Sequence, residues 1–436
     1  MYLPHSVRYC IDKLEAAGYA AYAVGGCVRD ACLGLQPHDY DLCTAAPPDV
    51  TAAIFSDHNL VRAGEKHGTI GVVWNGQVLE ITTFRTEGAY LDNRHPEWVK
   101  FVPDIRQDLA RRDFTVNAMA YSPTRGFADP FGGQDDLKNH ILRAVGDPSL
   151  RFAEDALRIL RGVRFAARFG LHPEHATLSA MGSLAPLMDS LAKERIFDEL
   201  SKLLLWISAD QLITFAPILA QVLPELQPTI GFDQRSSHHV HDVFTHTAHV
   251  VAGVPADLTL RWAALLHDIG KPATFSLDEQ GQGHFYGHAE KSGELADAVL
   301  RRLNAPTALR EDVVFLIEKH MTPLLPDGKL LRRRLHQYGE RRLQMLLQLQ
   351  ARDFCAKGVT ADTGDFETVT AMLQQILADN ACIRLKDLAV NGHDLMALGY
   401  SGPAIGQKLQ FLLEAVLDER LPNEKQALLA ALQTEI

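Results

Sequence analysis

Asp39 and Asp41 stand one residue apart in HDYDLCTA, shortly after Gly25-Gly26 and Arg29 in AVGGCVRDACLG. Along a strand, residues i and i+2 face the same side, so this spacing would aim both carboxylates at one place. Two like charges side by side are costly unless a cation neutralises them. Hard oxygen ligands next to a phosphate point to Mg²⁺. A pair of ions held there can activate an attacking hydroxyl and stabilise a leaving pyrophosphate. Glycines at a strand end let backbone N–H groups approach a phosphate, and the new helix N-terminus adds a favourable partial charge. Arg29, in the first turn of that helix, could pair with a triphosphate. Glu80, on a later strand, is a candidate third carboxylate. Each feature alone also fits a tight turn with an exposed arginine or two solvated aspartates; their proximity favours phosphate chemistry.

Two further segments carry charge in patterns suited to nucleotides. In RRDFTVNAMAY, Arg111 and Arg112 fit phosphate and sugar, and Asp113 could hold a ribose hydroxyl or orient an arginine. Charge pairing at a helix N-terminus is the plainer reading of that motif. In EDALRILRGVRFAARF, a helix of about 100° per residue puts Arg158, Arg161, Arg164 and Arg168 on one side, with Asp155 at its edge. Leu157, Leu160, Val163 and Phe165 remain to pack. Four arginines on one face repel, which implies an anionic partner. Asp155 offers an acceptor and Arg158 a forked donor to a base edge, a discrimination of about 1–3 kcal/mol per good contact.

A separate group is rich in histidine. His267-Asp268 ends the apolar run LRWAALLHDIGK, His246 lies upstream, and His288, His320 and Asp353 lie downstream. Imidazole and carboxylate brought together from several helices suit a divalent transition metal or Mg²⁺. A helical body that only supports the fold is the alternative.

The elements that must position these residues change character along the chain. SVRYCIDKLEAAG reads as an amphipathic helix, AAYAVGG as a short buried strand, and PPDVTAAIFS as a helix with Pro48 in its first turn. GTIGVVWNGQVLEITTF reads as a hairpin turning at Asn75-Gly76, a pair favoured where both turn residues need positive φ. After Asp147-Pro148 the pattern is helical almost throughout. The divisions expected are a mixed α/β head at 1–146, a helical neck at 147–205, a connector at 206–235, a histidine-rich helical block at 236–355 and a helical tail at 356–436.

At 436 residues the chain exceeds one compact domain of ordinary size. Its 47% hydrophobic and 22% charged residues suit a folded, water-soluble protein. The first residues contain no secretory-type apolar stretch, and no apolar run is of membrane-spanning length. The six cysteines are scattered without a metal-ribbon or CxxC pattern, so reduced thiols and a cytoplasmic location are expected. A net charge of -11 argues mildly against nucleic acid, but Arg111-Arg112, the Arg158–Arg168 series and Arg332-Arg333-Arg334 are local basic clusters.

Taken in order, GGCVRD, DYD, RRDFTVNAMAY, DPFGG and EDALRILRGVRFAARF resemble the class II tRNA nucleotidyltransferases, the CCA-adding enzymes. DLAVNGHDLMALGYSGPAIGQKL resembles the tail of bacterial members. The resemblance implies an α+β protein: a polymerase-beta-like head with a mixed sheet, then an all-α neck, body and tail. It implies addition of C, C and A to tRNA 3′ ends from CTP and ATP with Mg²⁺, without a nucleic-acid template. Gly26 and Arg29 would contact the triphosphate, Asp39 and Asp41 would bind Mg²⁺ and carry catalysis, and Arg112 would contact the nucleotide. Asp155 and Arg158 would read the base edge, with Arg161 and Arg164 on phosphate or base. Bacterial poly(A) polymerases share several of these motifs, but usually carry a basic GRRF-like segment where this chain has AGEKHGTIGVV. FRTEGAYLDNRHPEWVKF resembles the flexible loop needed for the final A, which disfavours a CC-only enzyme. The histidine-rich block resembles the HD phosphohydrolase superfamily, whose ligands would fall on His246, His267, Asp268 and Asp353. Alternatives are an A-adding enzyme or poly(A) polymerase, an HD phosphohydrolase with an RNA-binding head, and a non-catalytic RNA-binding protein.

Overall fold

The computed structural model describes residues 1–88, 98–236, 240–358 and 364–433. It separates into two compact units, 1–207 with 214–224, and 208–213 with 225–436.

The first unit opens with α1 (His5–Ala16), β1 (Ala21–Val24), α2 (Gly26–Cys32), β2 (Asp41–Thr44) and α3 (Pro48–Ile54). Then come β3 (Leu60–Val61), β4 (Thr69–Trp74), β5 (Gln77–Thr83), β6 (Arg85–Glu87), β7 (Val99–Phe101) and α4 (Ile105–Ala110). β8 (Ala120–Ser122), β9 (Gly126–Ala128) and α5 (Gly133–Lys138) complete the sheet region. Among the described residues the main sheet runs β3-β4-β5-β2-β1-β8-β9. β2 and β5 are parallel and the other neighbours antiparallel, so the sheet is mixed as expected. β4 and β5 turn at Asn75 and Gly76, whose φ values of 49° and 81° are the positive ones this turn requires. Alternate β5 residues Leu79, Ile81 and Thr83 are buried while Val78 and Glu80 face outward, the period-two pattern of a half-buried strand. β6 and β7 pair with each other, and residues 89–97 of the loop-like segment lie outside the described residues.

Short strands β10 (Ile141–Leu142) and β11 (His172–Pro173) bracket α6 (Pro148–Glu154) and α7 (Leu157–Phe169). α8 (His175–Ser183) and α9 (Lys193–Leu204) follow, then α10 (Ala209–Thr214) and α11 (Ala216–Val222). The sequence reads as one helix from Glu154 onward, but the structure interrupts it. Asp155 leaves helical geometry with φ -145° and its Oδ1 accepts from the Leu157 N–H at 3.0 Å, starting a new helix. α7 packs on α9, and Leu160, Val163 and Ala167 of the one and Ile196, Leu200 and Leu203 of the other are buried.

The second unit is helical: α12 (Val243–Gly253), α13 (Leu258–Leu266), α14 (Lys271–Thr274), α15 (His288–Arg302), α16 (Thr307–Lys319), α17 (Gly328–Tyr338) and α18 (Glu340–Cys355). A small pair, β12 (Ser276–Leu277) and β13 (Gly283–His284), interrupts them. α19 (Gly364–Ala378), α20 (Gly392–Ala397), α21 (Pro403–Leu417) and α22 (Lys425–Gln433) end the described chain. Asp242 and Asp257 cap α12 and α13 through their side chains. No helix among the described residues is long and apolar enough to cross a membrane. All six cysteines are free.

Candidate active site and a buried histidine cluster

The sheet register brings the first site together. Val24 pairs with Asp41 across β1 and β2, so the Gly25-Gly26 turn leaves the sheet abreast of that carboxylate. Leu42 pairs with Ile81 in parallel, which places Asp41 and Glu80 side by side on adjacent strands. Asp39 lies just ahead of β2 rather than within it. Asp39, Asp41 and Glu80 nevertheless line one cleft of about 1060 Å³. All three are solvent-accessible there. Partial desolvation in the cleft raises the Asp41 carboxyl above its usual range; Arg112 opposes this and Asp39 adds to it. Three carboxylates opening on one cleft fit a divalent cation.

Asp41 and Glu80 also border a smaller cavity of about 230 Å³ with Arg85, Asp108, Arg111 and Arg112. Asp108, in α4, is buried and holds Arg111 through Oδ1 at 2.9 Å. Its Oδ2 and the Arg112 Nε are buried without a hydrogen-bond partner among the described residues. Arg112 crosses directly over Gly25. A Cβ on Gly25 would stand 2.6 Å from Arg112 Nη1, and the residue already needs φ +77°.

Arg29 is placed differently from the expectation of an arginine free to meet phosphate. It is buried, with Nη1 donating to Asn117 Oδ1 at 2.6 Å and Nε and Nη2 to Asp30. Asn117 in turn donates to Asp113 Oδ1 at 3.0 Å, and Asp113 Oδ2 accepts from Arg161 at 2.7 and 2.9 Å. One hydrogen-bonded series thus joins α2, the RRDFTVN segment and α7. Burial opposes the Asp113 charge, but Arg161 and Asn117 prevail and take its carboxyl down to about 2.

The inference that unpaired arginines on α7 imply an anionic partner needs correction. Arg158 donates to Glu154 at 2.6 Å and to the Arg111 carbonyl, Arg161 to Asp113, and Arg164 to Glu199 at 2.6 Å. The neutralising carboxylates come from α6, from the RRDF segment and from α9, where a single-helix projection cannot register them. Asp155 accepts from Arg195, also on α9, at 3.0 Å. Asn117, Arg195 and Glu199 are the site residues that sequence reasoning passed over. Asn117 lies within the quoted RRDFTVNAMAY; nothing local marks the other two. The tail cluster is similarly engaged, with Arg332 on Glu419 and Arg333 on Asp418 at 2.6 Å.

In the second unit, His246 from α12, His267-Asp268 after α13 and Asp353 from α18 converge as expected. His246 Nε2 is 2.9 Å from Asp353 Oδ1, and His267 Nε2 is 3.2 Å from Asp268 Oδ2. Asp268 Oδ1 faces His288 at 3.6 Å and His320 at 4.0 Å. His246, His267 and His320 are buried, as is Asp268. Asp268 Oδ1 is buried and lacks a hydrogen-bond partner among the described residues. Lys271 Nζ sits 2.7 Å from Asp268 Oδ2 and offsets part of its charge. Burial resists ionisation of Asp268, and His267 with Lys271 overcomes it, holding the carboxyl well below its usual range. These atoms are close enough to share a metal ion.

Comparison with known proteins separates the remaining families. A model described as the Poly A polymerase head domain matches residues 21–143. One described as a probable RNA and SrmB-binding site of polymerase A matches 170–229, and a putative tRNA nucleotidyltransferase domain 2 matches 283–432. The CCA-adding enzyme of Streptococcus gordonii is 36% identical over 96% of this chain and 94% of its own length. The chain belongs to the CCA-adding enzyme family. The family's member from Levilactobacillus brevis is 35% identical over 97% of this chain and 96% of its own. Among solved structures, the Bacillus stearothermophilus CCA-adding enzyme in complex with CTP aligns with TM-score 0.71 at 28% identity, over 100% of this chain and 98% of that one. The Thermotoga maritima CCA-adding enzyme complexed with tRNA shares the fold, with TM-score 0.63 at 20% identity over 99% and 95%. The polymerase-beta-like head with a mixed sheet and the helical remainder are therefore the architecture of CCA-adding enzymes.

Proposed function

We propose that this chain adds C, C and A to the 3′ end of tRNA from CTP and ATP, with release of pyrophosphate and without a nucleic-acid template. The observation that carries this is the set Asp39, Asp41 and Glu80 beside the Gly25-Gly26 turn, in a member of the CCA-adding family. The tRNA hydroxyl attacks the α-phosphate in line and pyrophosphate departs. Asp39, Asp41 and Glu80 would hold Mg²⁺. Bound there, the metal supplies activation of the hydroxyl and neutralisation of the leaving group. The backbone at Gly25-Gly26 would receive the triphosphate at the α2 N-terminus, with Arg112 reaching over it. Arg29 would act from behind, through Asn117 and Asp113, on the placement of Arg161. Asp155 and Arg158 would read the base edge. Asp155 keeps acceptor capacity beyond its bonds to Leu157 and Arg195, since a carboxylate offers about four lone-pair sites.

The test is incorporation of labelled CTP and ATP, separately and together, into a tRNA transcript ending at its discriminator base. Two additions with CTP alone and three with both nucleotides are expected. Incorporation of ATP alone, on tRNA ending in CC or on any RNA, would replace this reading with an A-adding enzyme or poly(A) polymerase.

A second reading concerns the histidine cluster. His246, His267, Asp268 and Asp353 have the ligand types of an HD domain, and the close approach of His246, His267 and Asp268 favours a bound divalent metal, a transition metal or Mg²⁺. A phosphohydrolase activity there would sit alongside nucleotide addition. Hydrolytic opening of 2′,3′-cyclic nucleotides to the nucleoside monophosphate that disappears in His267→Ala, with CCA addition retained, is the expected result.

A further inference from the structure

Of the arginines along α7, Arg158, Arg161 and Arg164 each meet a carboxylate. Among the described residues none lies within ion-pair distance of Arg168. Its guanidinium stands over rings instead, 5.0 Å from the Phe169 centroid and 5.6 Å from that of Trp206. Phe169 carries a second cation on it, Arg29 at 4.2 Å. One helical turn earlier Phe165 stacks on Phe169 at 6.1 Å and 25°, with Arg164 over it at 4.3 Å. A series of alternating arginines and rings therefore runs from Arg29 beside the glycine turn outward to Trp206.

Trp206 ends this series in solvent. It is 55% exposed, while nearby Leu204 and the following Ile207 are buried at 2% and 1%. Its N–H donates to the Leu203 carbonyl at 2.9 Å, so a fixed backbone displays the indole. Arg29 and Arg168 share Phe169 but only Arg29 has a carboxylate, Asp30. The patch thus combines an exposed indole with a guanidinium, that of Arg168, which has no ion-pair carboxylate among the described residues. That is the pairing by which proteins hold single-stranded nucleic acid: a base stacks on the ring and the adjoining phosphate meets the cation.

We propose that Trp206 and Arg168 form a platform for a single-stranded nucleotide of the RNA acceptor, its base on the indole and its phosphate at the guanidinium. The proposal rests on the reading of the chain as a tRNA nucleotidyltransferase and adds two residues outside the cleft of Asp39, Asp41 and Glu80.

The test uses the full chain and four variants, Trp206→Ala, Trp206→Phe, Arg168→Ala and Arg168→Lys. Affinity for tRNA lacking CCA is measured by filter binding at two salt concentrations, and KM is measured for tRNA and CTP separately. Trp206→Ala and Arg168→Ala should each weaken tRNA binding about tenfold. CTP KM should stay within about twofold by the same argument, since no nucleotide contact is removed. Trp206→Phe and Arg168→Lys should recover most of the affinity. Arg168→Ala should also flatten the salt dependence by about one charge. Bound tRNA should quench wild-type tryptophan fluorescence, and Trp206→Phe should remove most of that quenching. Should Trp206→Ala fold poorly, the conservative variant and the fluorescence still decide. Unchanged tRNA affinity in Arg168→Ala and no loss of quenching in Trp206→Phe would overturn the platform. So would a rise in CTP KM alone, which would make the ring series a brace for Arg29. Binding is read directly, so failure of the wild type to add nucleotides would count against the proposed activity and leave this test standing.

Discussion

Asp113 and Arg161 form a two-pronged ion pair, Oδ2 accepting from Nη2 at 2.7 Å and from Nε at 2.9 Å. The pair ties the RRDF segment to α7, and Asn117 extends the tie to Arg29. Its carboxyl is depressed to about 2 from a usual 3.8. A depressed carboxyl contributes stability that is fully present above its unfolded value and lost as pH falls through the folded one. Asp113→Asn should therefore cost about 2 kcal/mol at neutral pH. Its thermal midpoint should converge on wild type between about pH 4 and pH 2. Midpoints measured across that range check the sign.

Asp39→Ala and Asp41→Ala should each reduce CTP and ATP incorporation by on the order of 10³-fold or more, the loss of several kcal/mol of charge stabilisation. Filter binding of tRNA should change little. Near-normal turnover in either variant would remove the carboxylates from the chemistry.

Glu80 stands beside Asp41 across β2 and β5. If it completes the metal site, Glu80→Gln should raise the Mg²⁺ concentration for half-maximal activity by roughly tenfold. A Mg²⁺ titration identical to wild type would assign Glu80 to the exposed strand face alone.

Base selection should be sensitive to Asp155. Asp155→Ala should lower the preference for CTP over UTP, read as a ratio of kcat/KM, by the worth of one base contact, about 1–3 kcal/mol. A uniform fall for all nucleotides would instead locate its role in starting α7.

Metal analysis addresses the histidine cluster. With the head carboxylates removed in Asp39→Ala/Asp41→Ala, purified protein should retain a divalent ion after dialysis, and adding His267→Ala should release it. Elemental analysis of both proteins distinguishes a metal centre from a metal-free core of ion pairs.

The parts legible in the sequence were those fixed by neighbours in the chain. The Asn75-Gly76 hairpin, the Pro48 helix start and the glycine turn after β1 all depend on local backbone chemistry, and each stands where its residues predict. The clustering of His246, His267, Asp268 and Asp353 was legible as residue types, and the packing of α12, α13 and α18 brings them together. The state of the α7 arginines was not legible. Their spacing shows that they share a face, but Asp113 and Glu199 reach that face from distant segments. The break at Asp155 was hidden for a related reason: a capping aspartate and a first-turn aspartate look alike until the backbone is seen.

Gly25 contributes no side chain to any step, yet two independent demands fall on it: its φ of +77° and the passage of Arg112 at 2.6 Å from where a Cβ would be. The positive φ strains alanine there, and the approach of Arg112 adds to it unless that side chain moves. In a genetic screen scored by growth, Gly25 would be recovered with the same severity as the aspartates, and no chemical rescue by added metal or nucleotide would restore it. The lesion is one of room and of backbone. Shortening Arg112 would return the space but leave the backbone strain at φ +77°, so it would relieve only one of the two demands.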